Sequence, residues 1–229
     1  MTSRKPLPWS YSALDDFKNC PRAYYEKKVA KSVKEEPSEQ MIWGNKVHKH
    51  FEDRQKFSTP LPEVLAEHEP FMQELEDLTK RPGVTVYTEG KIALNKRLQP
   101  CGFFDKDVWW RGVIDWAAHD GKTGRMVDYK TGKPHQKYEQ LAMFAIHLFT
   151  AAPTLQRVDV EFYWTKTQTS TAKSFERAKI AELWGLFTPD LKQYVEAFKT
   201  DTWQPRQSGL CAGWCPVKDC EFWRPKKVR

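Results

Sequence analysis

The spacing of apolar residues changes period several times along this chain, and each change marks an element. Pro8-Trp9-Ser10-Tyr11-Ser12-Ala13-Leu14-Asp15 reads as a helix start. Ser12 and Asp15 fit a capping box, with Ser10 as the competing N-cap. Tyr11, Ala13, Leu14 and Phe17 can share the buried face, and the helix carries Cys20 before Pro21 kinks or restarts it. Glu35-Glu36-Pro37-Ser38 breaks the pattern. A second helix is expected over 39–57, with Gly44, Val47, His48 and Phe51 on one face. Ser58-Thr59-Pro60-Leu61-Pro62 ends it, and a third, more acidic helix follows over 62–80. After Arg81-Pro82-Gly83 the period shortens. Val84, Val86, Thr88, Ile92 and Leu94 predict a strand that carries Glu89 and is interrupted near Gly90.

A hairpin is the clearest prediction. Val108 to Trp116 and Met126 to Tyr129 are rich in β-branched and aromatic residues, and His119-Asp120-Gly121-Lys122-Thr123-Gly124 between them is turn chemistry. Side chains alternate along a strand, so Asp128 and Lys130 emerge on one face while Val127 and Tyr129 point into a core. An in-register pairing brings Asp115 to the same face. Pro134 precedes a helix over 136–150 in which Gln136, Gln140 and Phe144 are four apart. Val158 to Trp164 is another strand. A long helix is expected over 175–199, with Pro189 as its point of interruption, and 202–229 is an irregular tail rich in Trp, Pro, Cys and basic residues. The order helices, β-β-β, helix, β, helix predicts an α/β sandwich with helical additions at both ends.

At 229 residues the chain can bury one substantial core, so 1–229 is read as a single domain with a helical part (1–80), a core (84–200) and a Cys-rich tail (201–229). Hydrophobic residues at 40% and aromatics at 14% exclude a mainly disordered chain. A net charge of +7 favours a polyanionic partner, with simple solubility as the plainer account of an excess this size. The basic residues crowd at the ends: Arg4, Lys5, Lys27, Lys28 and Lys31, then Arg224, Lys226, Lys227 and Arg229. The opening residues lack the apolar stretch of a secretory signal, and the longest apolar run, Leu141 to Phe149, is broken by His147 and too short to span a bilayer. The expectation is a cytoplasmic protein with no membrane contact. Five cysteines in a reducing compartment point to metal or cluster binding rather than disulfides.

Candidate chemistry gathers on the hairpin. Hard cations such as Mg²⁺ and Mn²⁺ take carboxylate oxygens, and one or two protein carboxylates suffice beside a phosphate. Asp115 and Asp128 supply such a pair, and Lys130 can stabilise phosphate charge on the same face. An isolated Asp-x-Lys is an ordinary strand end; its place after an apolar strand, with a second aspartate ending the preceding strand, sets this one apart. His48 is equally readable as a satisfied core histidine, and Glu89 as an exposed strand residue. Gly44 is harder to dismiss, since a mid-helix glycine costs about 1 kcal/mol relative to alanine and permits close approach of a backbone or substrate. Cys211, Cys215 and Cys220 lie within one short loop, and clustered thiolates suit zinc or an iron–sulfur cluster. Cys101 reads as a loop or core thiol.

In this order the motifs resemble the PD-(D/E)xK nuclease superfamily, specifically its RecB-like branch of CRISPR-associated and phage exonucleases. Ser12-Ala13-Leu14 with Cys20-Pro21-Arg22-Ala23-Tyr24 looks like the branch's N-terminal segment. Gly44-Asn45-Lys46-Val47-His48 is similar to its Gly-x-x-x-His helix, and Gly112-Val113-Ile114-Asp115 to its Gly-x-Ile-Asp strand. Asp128-Tyr129-Lys130 stands where the (Asp/Glu)-x-Lys signature belongs, and Tyr138 to Ala145 resembles the Gln-x-x-x-Tyr helix. The C-terminal cysteines look like the iron–sulfur segment, closed by Cys20.

The resemblance implies a restriction-endonuclease-like core, with a mixed central sheet flanked by helices, and a metal-dependent DNA exonuclease of recombination, repair or phage DNA metabolism, in the host cytoplasm if phage-encoded. It implies Mg²⁺ or Mn²⁺ held by His48, Asp115, Asp128 and the Tyr129 backbone carbonyl, with Lys130 and Gln140 catalytic and Glu89 and Tyr138 lower-ranked. It also implies a 4Fe-4S cluster on Cys20, Cys211, Cys215 and Cys220. The partner would be DNA, single-stranded or with free ends, beside a recombination protein. A non-catalytic DNA-binding subunit of a recombination or CRISPR-adaptation complex is the alternative. Two departures stand out. Phe144 replaces the usual tyrosine, and three residues rather than two separate the first C-terminal cysteines, which leaves zinc or a metal-free relic open at the thiols.

Overall fold

A computed structural model describes residues 4–135 and 137–225. Gln136 of the predicted helix and the basic residues Lys226, Lys227 and Arg229 lie outside the described residues. In chain order the elements are α1 (Tyr11–Asn19), α2 (Pro21–Tyr24) running into a π-helical turn (Tyr25–Val29), α3 (Glu39–Phe57), a 3-10 turn (Glu63–His68) and α4 (Glu69–Thr79). Then follow β1 (Thr85–Asn95), β2 (Val108–His119), β3 (Thr123–Lys130), α5 (Tyr138–Ala151), β4 (Arg157–Trp164), β5 (Thr169–Glu176), α6 (Ile180–Gly185) and α7 (Thr188–Thr200). The chain divides into two compact units. One is Ser38–Leu186, and the other combines the segments on either side of it.

The Ser38–Leu186 unit is a five-stranded mixed sheet in the order β1-β2-β3-β4-β5. Only β3 and β4 are parallel, joined through α5 as parallel neighbours require, and the remaining pairs are antiparallel. The predicted α/β class, with a mixed sheet flanked by helices, is therefore observed. One core joins Val47, Phe51, Met72 and Leu75 of α3 and α4 to Trp116, Ala118, Val127, Tyr129 and Tyr163 of the sheet. Arg54, 6% exposed, binds α3 to α4 through Glu69 and Glu76 at 2.5 and 2.8 Å. On its other contacts the sheet meets α5, whose residues Leu141 to Phe149 are all buried. A helix apolar on every side needs cover all round, and α6 packs on it as well as β2, β3, β4 and β5.

Within this core His147 of α5 stacks on Trp110, with ring centroids 4.2 Å apart, and neither ring nitrogen has a hydrogen-bond partner. Burial pushes its pKa down to about 3, so the ring is neutral. It fits because β2 has a glycine beneath it: a Cβ at position 112 would lie 2.2 Å from the imidazole. Gly112 is thus a packing necessity.

The flanking unit has an aromatic core. Phe17 of α1 meets Tyr24, Tyr194 and Trp203 edge-on, and the hydroxyls of Tyr24 and Tyr194 hydrogen-bond at 2.8 Å. Ser10, not Ser12, caps α1, its hydroxyl accepting the Ala13 N–H at 3.2 Å. Pro21 restarts the helix, as one of the two expected outcomes, with Cys20 as the new N-cap.

Two expectations are corrected. Strand β1 runs unbroken through Gly90, and the irregularity falls on Glu89, whose φ is 51°. The single helix over 175–199 is replaced by β5, a 3-10 turn, α6 and α7, and Pro189 opens α7 in the first turn where its missing N–H costs nothing. Strand β5 escapes a hydrophobicity pattern because only Phe175 of its eight residues is buried.

Gly112→Ala is expected to destabilise the protein by about 1–3 kcal/mol through overpacking, read as a lower midpoint in urea unfolding. The loss should shrink when His147→Ala is added, since the two positions compete for one volume. Equal losses in both backgrounds would refute the packing account.

Candidate metal and phosphate site

The site lies where two strands stop pairing. The β2–β3 ladder ends at Trp116 and Val127. Just beyond, the Asp115 carboxylate takes the acceptor position, its Oδ2 receiving the Tyr129 N–H at 2.9 Å. On the other side of β2, Thr88 pairs with Trp116 and Gly90 with Ile114, which leaves Glu89 opposite Asp115. A non-glycine residue at positive φ is uncommon and is held there only by its surroundings. The packing changes partners at this point. Trp110 and Gly112 meet His147 of α5, whereas Trp116 and Ala118, of the same parity, pack with Val47 and Phe51.

Helix α3 supplies His48. Its Nε2–H donates to the Tyr129 carbonyl at 2.9 Å, and its Nδ1 lies 3.3 Å from Asp115 Oδ2. Burial lowers the imidazole pKa, but the Asp115 hydrogen bond, the charges of Asp115 and Asp128, and the Tyr129 carbonyl outweigh it and raise it to about 9. Gly44, one turn earlier, allows this approach: a Cβ there would sit 3.2 Å from Thr131 Oγ1. Ligand atoms of His48, Glu89 and Asp115 all come within 4.8 Å of one another. Burial and the neighbouring Asp115 raise the Glu89 pKa, with His48 opposing. These three line a cleft of about 650 Å³ together with Asn45, Glu52 and Thr131.

Asp128 and Lys130 form an adjacent pair. Asp128 is 7% exposed and in close ion-pair contact with the Lys130 ammonium. That ammonium also lies 4.8 Å from the Phe162 ring centroid and 5.9 Å from that of Phe144. The ring that replaces the usual tyrosine therefore offers a cation a π face instead of a hydroxyl. Burial raises the Asp128 pKa, Lys130 opposes this, and Asp115 adds to it, so the two groups of acids feel one another. Val127 and Tyr129 are buried on the α3–α4 side, as the alternation predicted.

Two sequence candidates stand apart. Gln140 is half-buried in the first turn of α5 and does not line the cleft. Tyr138 lies against Phe175, with Lys173 Nζ 4.2 Å from its ring centroid. Conversely, Asn45, Glu52 and Thr131 were not singled out from the sequence. The i, i+3, i+4, i+7 spacing of 45, 48, 49 and 52 on α3 was the available signal for the first two.

In the flanking unit Cys20, Cys211, Cys215 and Cys220 line one cavity of about 120 Å³. Backbone N–H groups of Ala23 and Arg206 donate to Cys20 Sγ, and that of Ser208 to Cys211 Sγ, each at 3.4 Å. Burial raises the Cys215 pKa, and the other three sulfurs add to this. Among the described residues no three of these sulfurs lie within 4.8 Å of one another. Cys101 lies elsewhere, beside Asp105 and Asp107.

A family model described as the PD-(D/E)XK nuclease superfamily matches residues 8–101. This is the superfamily that the motifs resemble, and that recognition holds. The matched span includes Cys20, His48 and Glu89 and stops before Asp115, Asp128 and Lys130. A search of curated proteins gives no match. Among solved structures, a "Putative exonuclease" from Eubacterium rectale is similar over 97% of this chain and 89% of its own, with a TM-score of 0.52 and 13% identity. An alkaline exonuclease from Laribacter hongkongensis is similar over 85% and 92%, with a TM-score of 0.34 and 13% identity. The first likeness is one of fold, and the second is too distant to bear on it. No helix among the described residues is long and apolar enough to cross a membrane.

Because the folded pKa of His48 lies above the ordinary imidazole value of 6.5, the stability it contributes is fully present below pH 6.5 and lost as pH rises through about 9. In chelator-treated protein the melting temperature should therefore fall across that window. Asp115→Asn should flatten the fall, because the neutral amide no longer favours the imidazolium. An unchanged slope in this variant would remove Asp115 as the cause.

Proposed function

On the premise that the PD-(D/E)XK superfamily match over residues 8–101 continues through the fold that carries Asp115, Asp128 and Lys130, we propose that this chain is a divalent-metal-dependent DNA exonuclease. The observation that carries the reading is the gathering of His48, Glu89 and Asp115 within single-ion reach, beside the Asp128–Lys130 pair. The donor set, one imidazole with carboxylates and a backbone carbonyl, suits Mg²⁺ or Mn²⁺. His48, Asp115, Asp128 and the Tyr129 carbonyl are the proposed ligands, and Glu89 joins them. The bound cation would supply Lewis acidity toward the phosphate and lower the pKa of water.

The protein's own part is positioning. Lys130 orients the attacking water and stabilises negative charge on the scissile phosphate, held over Phe162 and Phe144 so that its ammonium stays in place. Water adds to phosphorus and gives up a proton to solvent, the P–O bond to the leaving nucleotide breaks, and the departing oxygen takes up a proton from solvent. Gln140, at the start of α5 and outside the cleft lining, is assigned to help hold the substrate or Lys130. The basic balance of the chain favours binding to a phosphate backbone. The biological setting would be recombination, repair or phage DNA metabolism, beside a recombination partner protein.

Asp128→Ala or Lys130→Ala should each lower Mn²⁺-dependent degradation of linear DNA by roughly 10²-fold or more, with the melting curve checking that the fold persists. Full activity in either variant would sink the mechanism. End-labelled linear DNA should be degraded beside an intact closed circle; a cut circle would make the enzyme an endonuclease. Salt-sensitive DNA binding with no cleavage in any metal would instead favour a non-catalytic subunit.

We infer further that the four cysteines hold a 4Fe-4S cluster. All four cysteines line one cavity, which places the thiols where a single metal group could draw on them. N–H donors aimed at the sulfurs suit a ligated thiolate. Protein purified without oxygen should be brown and contain iron and acid-labile sulfide. A colourless protein with stoichiometric zinc would decide for the other metal.

A further inference from the structure

The turn between β1 and β2 carries an aromatic pair that the proposed chemistry leaves unused. Phe104 is 79% exposed, the most exposed large apolar side chain among those described, and Phe103 meets it edge-on at 5.1 Å. Two cations hold these rings. Lys91 Nζ lies 5.7 Å from the Phe103 centroid and 5.5 Å from that of Phe104, and the Arg111 guanidinium lies 5.1 Å from Phe103. The turn is fixed from within. Gly102 N–H donates to Asp105 Oδ2 at 2.7 Å, Asp105 N–H to the Gly102 carbonyl, and Cys101 N–H to the Ala93 carbonyl. An exposed ring on a constrained turn presents a stable face.

Its position follows from the strand register. Lys91 pairs with Val113 and Ala93 with Arg111, and Val113 lines the same cleft as Asp115. Arg111 is therefore two residues beyond the cleft wall and four from Asp115, about 14 Å along a strand rising roughly 3.4 Å per residue. A cationic, aromatic surface thus continues directly from the acidic donors along β1 and β2. The acids of the turn, Asp105 and Asp107, cluster with Cys101.

We propose that Phe103, Phe104, Lys91 and Arg111 form a docking platform for unpaired bases of the strand that enters the cleft. The inference rests on the nuclease reading and names the substrate form that its site prefers. Only an unpaired base offers its face to a ring, whereas duplex bases are already stacked on one another. The cations serve twice, holding the rings by cation–π contact and neutralising the phosphates that flank a stacked base.

The test is equilibrium binding of a fluorescently labelled oligothymidylate and a blunt duplex, measured by anisotropy with EDTA so that no cleavage occurs. Phe104→Ala should weaken single-strand binding about tenfold and leave duplex binding and the melting temperature unchanged. Phe104→Trp should retain the affinity. Lys91→Gln and Arg111→Gln should each reduce the salt slope of single-strand binding by about one. Wild-type affinity in Phe104→Ala, or an equal loss for duplex, would overturn the platform and leave the nuclease reading standing. Failure of the wild-type protein to bind or degrade either DNA would remove both.

Discussion

A carboxylate, rather than a backbone carbonyl, receives the Tyr129 N–H, and the geometry of the site follows from that exchange. Once Asp115 fills the acceptor position, β3 no longer pairs with β2 beyond Trp116 and Val127. The Tyr129 carbonyl faces the His48 imidazole, and Asp128 and Lys130 continue along β4, with which β3 still pairs to Lys130. A hydrogen bond to an ionised acceptor contributes roughly 1.5–3 kcal/mol. Leaving a buried N–H bare would cost a similar amount, so the carboxylate is held as firmly as it holds the strand.

Three acids, buried Asp128 and half-buried Glu89 and Asp115, repel one another, and the surrounding elements limit how far they can relax. Helix α3 is drawn close by Gly44 and fixed to α4 through Arg54. Strand β1 accepts an unfavourable backbone angle at Glu89, a strain of about 1–3 kcal/mol that packed neighbours must sustain. On the other side, two aromatic faces and Asp128 keep the Lys130 ammonium from swinging to solvent. Cationic charge is thereby brought to a place where anions are concentrated, whether it comes from imidazolium, ammonium or a bound ion.

Much of this was legible in the sequence because it rests on periodicity and turn chemistry. The 39–57 helix, the Asp-Gly hairpin and the inward-facing Val127 and Tyr129 are all governed by local patterns of apolar residues. Strand β5 was not, because an edge strand with one buried residue has no alternation to reveal it. The weight on Glu89 was likewise hidden. Its place beside His48 and Asp115 depends on the β1–β2 register, and no local rule predicts a glutamate rather than the adjacent Gly90 at positive φ. Gly112 drew notice as part of a motif, yet its physical reason lies in His147, far along the chain, whose ring fills the missing Cβ's volume.

The smaller of the two units is assembled from the two ends of the described chain, with Arg22 bonded to Asp219 across 197 residues. The sheet unit, by contrast, is one continuous segment. On a ribosome the latter can be complete before the second half of the former has been synthesised. Cys20 must then wait for Cys211, Cys215 and Cys220, which share its cavity, to emerge. Closing so long a loop costs only slightly more entropy than closing a shorter one, since the penalty grows with the logarithm of length. The order of synthesis, rather than the length of the loop, thus makes assembly around the four thiols a late event in the life of the chain.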